Sequence, residues 1–473
     1  MSLHVNYTVH CNKIVSYQQC HRPASTSHYM TQDLSIREKK VGSHAPLAIE
    51  AVVSYEDPYV QPLILSALEA VFARGSLRLV DKLPQTEDVF SLSGFASSLE
   101  SKILSITPYE SIDFEFAASH PRTCLVNSYM IRKALIRKHY LSTTIDHWVA
   151  KNPESILKKH VKRTEAFEVD YAEFLDDALV EAFDLRESMA RNDSVDDPDQ
   201  REWWILKPGM SDRGQGIKIF STMEELQDIF DRWEADQPDS DDEDEEGDDT
   251  ADTPAGGSGD YITTSHLRHF VAQPYIHPPL LLRGDNRKFH IRTYVLCSGS
   301  LTVHVYRHML ALFAAKPYMP PQDPETADIE SFLTNTCLQS SPEYTDSVRR
   351  FWDLDLPAAQ LEAIFGQICG ITGELFEAAA RAMPIHFQTL PNAFEAFGLD
   401  FLVDAEGNVW LLEVNAFPDF KQTGGDLSEI VRGFWEGVMK CAVAPFFGVK
   451  VEPEDGGGDD GMVLAREVDL GRR

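Results

Sequence analysis

Residues 397–420, FGLDFLVDAEGNVWLLEVNAFPDF, leave little choice of local structure. DAEGN is a turn between two apolar strands, so the segment reads as a β-hairpin. Side chains alternate along a strand, which puts Glu413 and Asn415 on one face; counting back around the turn sets Asp400 roughly opposite Glu413 on the partner strand. Two carboxylates and an amide oxygen then converge. Hard oxygen ligands of this kind suit Mg²⁺ carrying nucleotide phosphates, because that ion uses few protein ligands and retains water. The competing explanation is a buried acid satisfied by local hydrogen bonds.

WWILKPGMSDRGQGIKIF, residues 203–220, places Lys207 at the end of an apolar strand, with glycines between that strand and its return, IKIF. Glycines let backbone N–H groups approach an anion closely, as in loops that cover phosphates. Neither common nucleotide loop is present, since Gly214 is followed by Gln215 rather than Lys-Ser/Thr, and Gly214-x-Gly216 lacks a third glycine at position 219. An ordinary glycine turn would explain the pattern as well. Ser221-x-x-Glu224 is then expected to cap a helix that buries Met223, Leu226, Phe230 and Trp233.

RKFHIRTYVL, residues 287–296, also alternates: Phe289, Ile291, Thr293 and Val295 take one face, and Lys288, His290, Arg292 and Tyr294 the other. Three potentially cationic groups on one face repel unless an anion or nearby carboxylates hold them together. An edge strand kept soluble by its charges is the alternative.

Charge narrows the partners. The chain of 473 residues has a formal net charge of −32, which opposes direct DNA binding and attraction to an anionic membrane. Any phosphate site must be locally basic. NSYMIRKALIRKHYL and ILKKHVKR are more basic; helical spacing turns Ile131, Leu135 and Leu141 inward and leaves Arg137 and Lys138 to reach out, although a solvated helix face would look the same. Residues 236–260 hold twelve acids and no Lys or Arg, which reads as a disordered insertion. Seven cysteines without a C-x-x-C pair read as free thiols in a reducing compartment. No apolar run reaches the roughly 18 residues of a membrane span. The expectation is a soluble, cytoplasmic protein without membrane contact.

The first 45 residues are polar and aperiodic and are expected to be disordered. LAIEAVVS suits a buried strand and residues 59–74 a helix ending at Gly75, which together open an N-terminal α/β domain over 46–124. The acidic, glycine-rich stretch near 452–461 is expected to begin a frayed tail over 451–473.

The ordered set NSYMIRKALIRKHYL, WWILKPGMSDRGQGIKIF, VAQPYIHPPLLLRGDNRKFHIRTYVL, VYRHMLALFAAKPYM, FLTNTCLQ and FGLDFLVDAEGNVWLLEVNAFPDF resembles the tubulin-tyrosine ligase family of ATP-grasp enzymes over about residues 125–450. The resemblance implies an α/β (α+β) chain of ATP-grasp fold, with a central subdomain over 125–204 and a catalytic subdomain over 205–450. It implies that Lys138 and Lys207 hold phosphates, that Gln273, Pro274, Tyr275 and Ile276 form the hinge receiving adenine, and that Lys288 and His290 lie near the nucleotide. Arg292 and Arg307 would face the reacting carboxylate and phosphate, while Asp400, Glu413 and Asn415 would carry Mg²⁺ and Glu413 would serve catalysis as well. The implied reaction is ATP-dependent amide formation between a free amino acid, tyrosine or another, and a protein carboxylate, with the C-terminal tail of α-tubulin the family's eponymous acceptor. His290 stands where tyrosine ligases usually have an acid, and Thr336 where many members have histidine. The pattern most resembles fungal members, some associated with cytoplasmic processing bodies. A side-chain polyglutamylase or glycylase and a non-catalytic scaffold in RNA-processing bodies are the other readings.

Overall fold

The computed structural model describes residues 49–55, 57–80, 92, 101–209, 214–235, 269–321, 329–334, 347–423, 427–451 and 461–471. All of them lie in the unit Pro46–Arg473; a separate unit is Met1–Ala45. The expectations for residues 1–45, for the insertion 236–260 and for Thr336 lie outside the described residues.

Among the described residues the strands form three sheets. The first is parallel, in the order β2-β1-β3-β4, from β1 (Ile49–Val53), β2 (Leu77–Leu79), β3 (Ile103–Ile106) and β4 (Cys124–Val126). Helix Val60–Val71 crosses from β1 to β2, and Gly75 makes the return at φ +85°, where a side chain would be strained. The helix buries Val60, Ile64, Ala67 and Leu68 in a core that also takes Ile430, Phe434 and Trp435 of helix Ser428–Val438.

The second sheet is antiparallel, in the order β5-β8-β6-β7, from β5 (Glu165–Glu168), β6 (Trp204–Pro208), β7 (Lys218–Phe220) and β8 (His269–Pro274). β6 and β7 pair as the glycine-linked strands anticipated from sequence, with Leu206 opposite Lys218. One face of this sheet, including Trp204, Leu206, Phe220 and Phe270, packs against Leu185, Met189, Leu226, Phe230 and Trp233. β5, from the segment 125–204, hydrogen-bonds to β8 in the same sheet as β6.

The third sheet is built around β9 (Arg287–Ser298), which pairs with β10 (Thr302–Tyr306), β11 (Leu310–Pro317) and β13 (Phe394–Val403). β12 (Val348–Arg350) extends it beyond β11, β14 (Val409–Ala416) pairs with β13, and β15 (Met462–Glu467) adds to β10. β9 is therefore central and buried on both faces, which removes the charged-edge explanation of its cations.

Three local expectations are corrected. The tail over 451–473 is not wholly frayed: MVLARE forms β15, because β10 offers an open edge and Gly373 lets helix Ala358–Ala382 approach, a Cβ there meeting Ala465 O at 3.0 Å. The helix cap lies one residue later than read, since Glu225 accepts from the N–H groups of Ser221 and Thr222, while Thr222 Oγ1 accepts from Glu225 N–H at 3.1 Å. The basic helix is broken at Arg137, which is extended (φ −105°, ψ 121°) between helices Lys133–Ile136 and Lys138–Lys151; Leu135 and Leu141 are buried as expected, but Ile131 is only half-buried.

Among the described residues no helix is long and apolar enough to cross a membrane.

Candidate functional site

An open cavity is lined by both the second and third sheets. Ile205, Ile217, Tyr275, Ile276, Phe332 and Leu402 supply an apolar wall, and Lys207, Lys288, His290, Asp400 and Glu413 supply the charged and polar groups.

Strand alternation explains how the two kinds of wall arise. On β6, Trp204 and Leu206 point into the sheet's core, so Ile205 and Lys207 point into the cavity. β8 runs beside β6 with Gln273 opposite Ile205. Lys207 Nζ donates to Gln273 Oε1 at 2.9 Å, and Gln273 Nε2 donates to Thr164 Oγ1 at 2.7 Å, which orients the amide and, through it, the ammonium. Enclosure of the Lys207 ammonium lowers its pKa to about 8, with Glu413 opposing the shift and Lys138 adding to it. Lys138 lines a smaller adjoining pocket with Lys207 and Gln273.

On β9, Lys288 is buried and donates to Tyr275 Oη at 3.0 Å. Burial, reinforced by Lys207, lowers its pKa to about 7. His290 follows on the same face, with Nδ1 2.5 Å from Thr334 Oγ1 and Nε2 3.7 Å from Asp400 Oδ1. Its pKa falls to about 4: burial dominates, Arg292 and Lys288 add to it, and the opposition of Asp400 is insufficient. The imidazole is therefore neutral near pH 7.

Arg292 is held by Asp400 across the β9–β13 register, with Nε donating to Oδ1 at 2.5 Å and Nη2 to Oδ2 at 3.0 Å. Burial alone would raise the pKa of Asp400, but Arg292 and His290 outweigh it and hold it below the usual carboxylate range. The hairpin register read from sequence is present, with Asp400 opposite Glu413 and Gly398 opposite Asn415. Asn415 Nδ2 donates to Glu413 Oε1 at 3.2 Å. Gly398 is required there, as a Cβ would lie 2.7 Å from Pro418 Cβ.

Asp400, Glu413 and the Asn415 amide oxygen have the donor chemistry of a hard divalent cation, and their side chains adjoin. No group of three or more His, Cys, Asp or Glu side chains suited to a metal occurs among the described residues. A cation here would thus rest on two carboxylates, the amide and ligand oxygens, the pattern typical of Mg²⁺ with phosphates.

The structure brings together Lys207, Gln273, Pro274, Tyr275, Ile276, Lys288, His290, Asp400 and Glu413 at one cavity. It does not bring Arg307 there. Its guanidinium pairs with Glu362 and stacks over Trp352 at 4.1 Å from the ring centroid. Sequence reasoning missed Lys162, which lines the cavity and lies 3.6 Å from the Trp410 ring centroid, and Thr334, the partner of His290. Lys162 lies within the basic stretch ILKKHVKR, for which a solvated helix face is the alternative explanation; nothing local marks Thr334.

A profile of the Tubulin-tyrosine ligase family matches residues 118–450. A Schizosaccharomyces pombe protein named a probable tubulin--tyrosine ligase is 43% identical over 422 residues, covering 89% of this chain and 97% of that protein. Saccharomyces cerevisiae PBY1, also named a probable tubulin--tyrosine ligase, is 45% identical over 395 residues; the match covers 81% of this chain and 52% of PBY1, about half its length. Among solved structures, the C-terminal domain of Kluyveromyces lactis Pby1, described as an ATP-grasp enzyme interacting with the mRNA decapping enzyme Dcp2, matches with a TM-score of 0.63 and 36% identity, covering 89% of this chain and 99% of that one.

Proposed function

We propose that this chain, which belongs to the tubulin-tyrosine ligase family and has the ATP-grasp fold, is an ATP-dependent ligase joining an amino acid to a protein carboxylate. The observation that carries the reading is the cavity itself, where an apolar wall adjoins the buried Lys288, the half-buried Lys207 and a pair of facing carboxylates. Family and fold imply ATP and a divalent metal in general; Mg²⁺ is the ion that the oxygen-rich donor set fits.

The adenine would lie against Tyr275 and Ile276, with Gln273 and Pro274 completing the hinge. Desolvation holds the pKa values of Lys207 and Lys288 below the usual lysine range, so nucleotide phosphates would favour their charged forms and be held by them. Lys138, beside Lys207, is placed to extend this basic wall. When bound, the divalent cation neutralises charge on the phosphoryl group. In the first step an acceptor carboxylate oxygen attacks the γ-phosphorus, forming an acylphosphate and releasing ADP. The amino acid's nitrogen then attacks the acyl carbon, phosphate leaves, and the amide forms with loss of the nitrogen's proton. Arg292, fixed in plane by Asp400, would steady the acylphosphate oxygens. His290, neutral and bound to Thr334, would present a polar edge to the nucleotide without adding charge.

The test is ADP release by the purified chain with Mg²⁺, ATP and free amino acids, offered tubulin and cell extract as acceptors. Release no greater than that of the Glu413→Gln variant would overturn the catalytic reading. The second reading, a non-catalytic member of a cytoplasmic RNA-processing assembly, is favoured by the description of the K. lactis protein as a partner of a decapping enzyme. Nucleotide binding without turnover under every acceptor would support it.

A further inference from the structure

Residues 170–185, DYAEFLDDALVEAFDL, cover the outer side of the second sheet. Ala172, Leu175, Leu179, Ala182 and Leu185 are buried in the core formed with Trp204, Leu206 and Phe270. The large side chains between them face outward: Tyr171 is 58% exposed, Phe174 48%, Val180 53% and Phe183 72%. Nine large apolar side chains are exposed among the described residues, and four of them fall in this one segment. The Tyr171 and Phe174 rings meet edge to face with centroids 6.1 Å apart, so these two form a continuous surface. Contiguous exposed apolar surface of this kind is often an interaction site.

The charged side chains within the segment have one sign. Asp170, Glu173, Asp176, Asp177, Glu181 and Asp184 are all exposed, and the segment has no lysine or arginine. Asp184 lies 3.8 Å from Arg163; among the described residues Glu173, Asp176, Asp177 and Glu181 have no ion-pair partner.

We propose that this face docks a linear segment of a partner protein that carries lysine or arginine together with apolar anchors. The aromatic side chains would bury the anchors, and the acids would pair the basic groups around them. Two other occupants fail on charge. A second copy would set the same acids against each other. The chain's own residues 236–260 follow helix Met223–Ala235, whose Gln227 Nε2 donates to Ala172 O, but they bring twelve acids and no basic residue. Nucleic acid is repelled for the same reason. Lys207 and Gln273 lie on the opposite face of this sheet, so docking leaves the nucleotide cavity open and the proposal stands apart from catalysis.

The test uses the full chain and three synthetic peptides: one alternating lysine with phenylalanine and leucine, a counterpart with glutamate for lysine, and a counterpart with serine for the apolar residues. Hydrogen–deuterium exchange should show protection across residues 170–185 with the first peptide and none with the second. Affinity for the first peptide, by fluorescence anisotropy, should fall about tenfold in Phe174→Ser/Phe183→Ser and again in the independent variant Asp176→Lys/Asp177→Lys. The serine counterpart should bind about tenfold more weakly than the first peptide. Protection elsewhere on the chain, or unchanged affinity in either variant, would overturn the proposal. Concentration-dependent dimerisation abolished by Phe174→Ser/Phe183→Ser would overturn it in favour of self-association.

Discussion

Nucleotide binding should be accompanied by proton uptake, and the amount follows from the two cavity lysines. The folded-state pKa is about 7 for Lys288 and about 8 for Lys207, against about 10.4 for lysine in water. At about pH 8, roughly one in ten Lys288 side chains and about half of the Lys207 side chains therefore carry a proton in the empty site. Phosphates that restore both lysines would draw in about 1.4 protons at that pH, and only about 0.3 at pH ~6.5. If only the doubly protonated site binds, affinity falls on the order of tenfold over the same interval. The unfolded chain binds more protons than the ligand-free folded protein between about pH 7 and 10, so stability of the empty protein should rise with pH through that window.

Isothermal titration calorimetry in buffers of different ionisation enthalpy reads the proton count directly. Working at about pH 8 keeps the nucleotide's own phosphate protons out of the balance, since a phosphate's second pKa is about 6. Lys288→Arg should keep binding but lose most of the uptake, because arginine stays charged at every pH used. Binding enthalpies that are independent of buffer at pH ~8 would refute the placement of anionic groups against these lysines.

Three other outcomes are expected. Glu413→Gln, which keeps the side chain's shape and its contact with Asn415, should leave the melting temperature nearly unchanged while ATP affinity loses its dependence on Mg²⁺; a dependence like that of the native protein would remove Glu413 from the cation site. His290→Asp places a carboxylate between Lys288 and Arg292, so it should raise the Lys288 pKa and reduce proton uptake at pH ~8, whereas an unchanged count would separate position 290 from Lys288 electrostatically. Gly373→Val should push β15 from helix Ala358–Ala382, where even a Cβ meets Ala465 O at 3.0 Å, and lower stability by about 1–3 kcal/mol in chemical denaturation; no loss would show that the strand yields freely.

The hairpin at 397–420 was legible because its register is fixed locally: the DAEGN turn and a period of two suffice to set Asp400 against Glu413. The faces of β9 were legible for the same reason. The contacts between distant segments were not. Lys207 meets Gln273, 66 residues later, because β8 inserts between β5 and β6, an order that no local pattern specifies. Thr334 reaches His290 across 44 residues, and Asp400 reaches Arg292 across 108. β15 was hidden by its neighbours, since the acidic, glycine-rich residues before it dominate the composition while the edge of β10 that recruits it lies far back in the chain. Arg307 illustrates the converse limit: a motif position can be matched, yet the paired acid, Glu362, comes from a helix that the motif does not contain.

The Arg292–Asp400 pair bears on whether the site is prepared for a ligand or closed against one. A carboxylate offers about four lone-pair positions, and Arg292 takes two, so the pairing fixes the plane of Asp400 without exhausting its capacity for a cation. Lys288 makes the stronger argument. It is 6% exposed, and among the described residues its hydrogen-bond partner is the Tyr275 hydroxyl rather than a carboxylate. A lysine whose pKa is lowered from about 10.4 to about 7 costs the empty protein on the order of 4 kcal/mol near neutral pH. Packing alone would be served better by an apolar residue at that position. An anion in the cavity offsets the cost, and the same anion brings Lys207 back to full charge beside Glu413. Two cavity lysines whose hydrogen-bond partners among the described residues are an amide and a phenol rather than carboxylates thus argue for an anionic ligand in either reading of the function, and Glu413→Gln then separates a site that only binds nucleotide from one that turns it over.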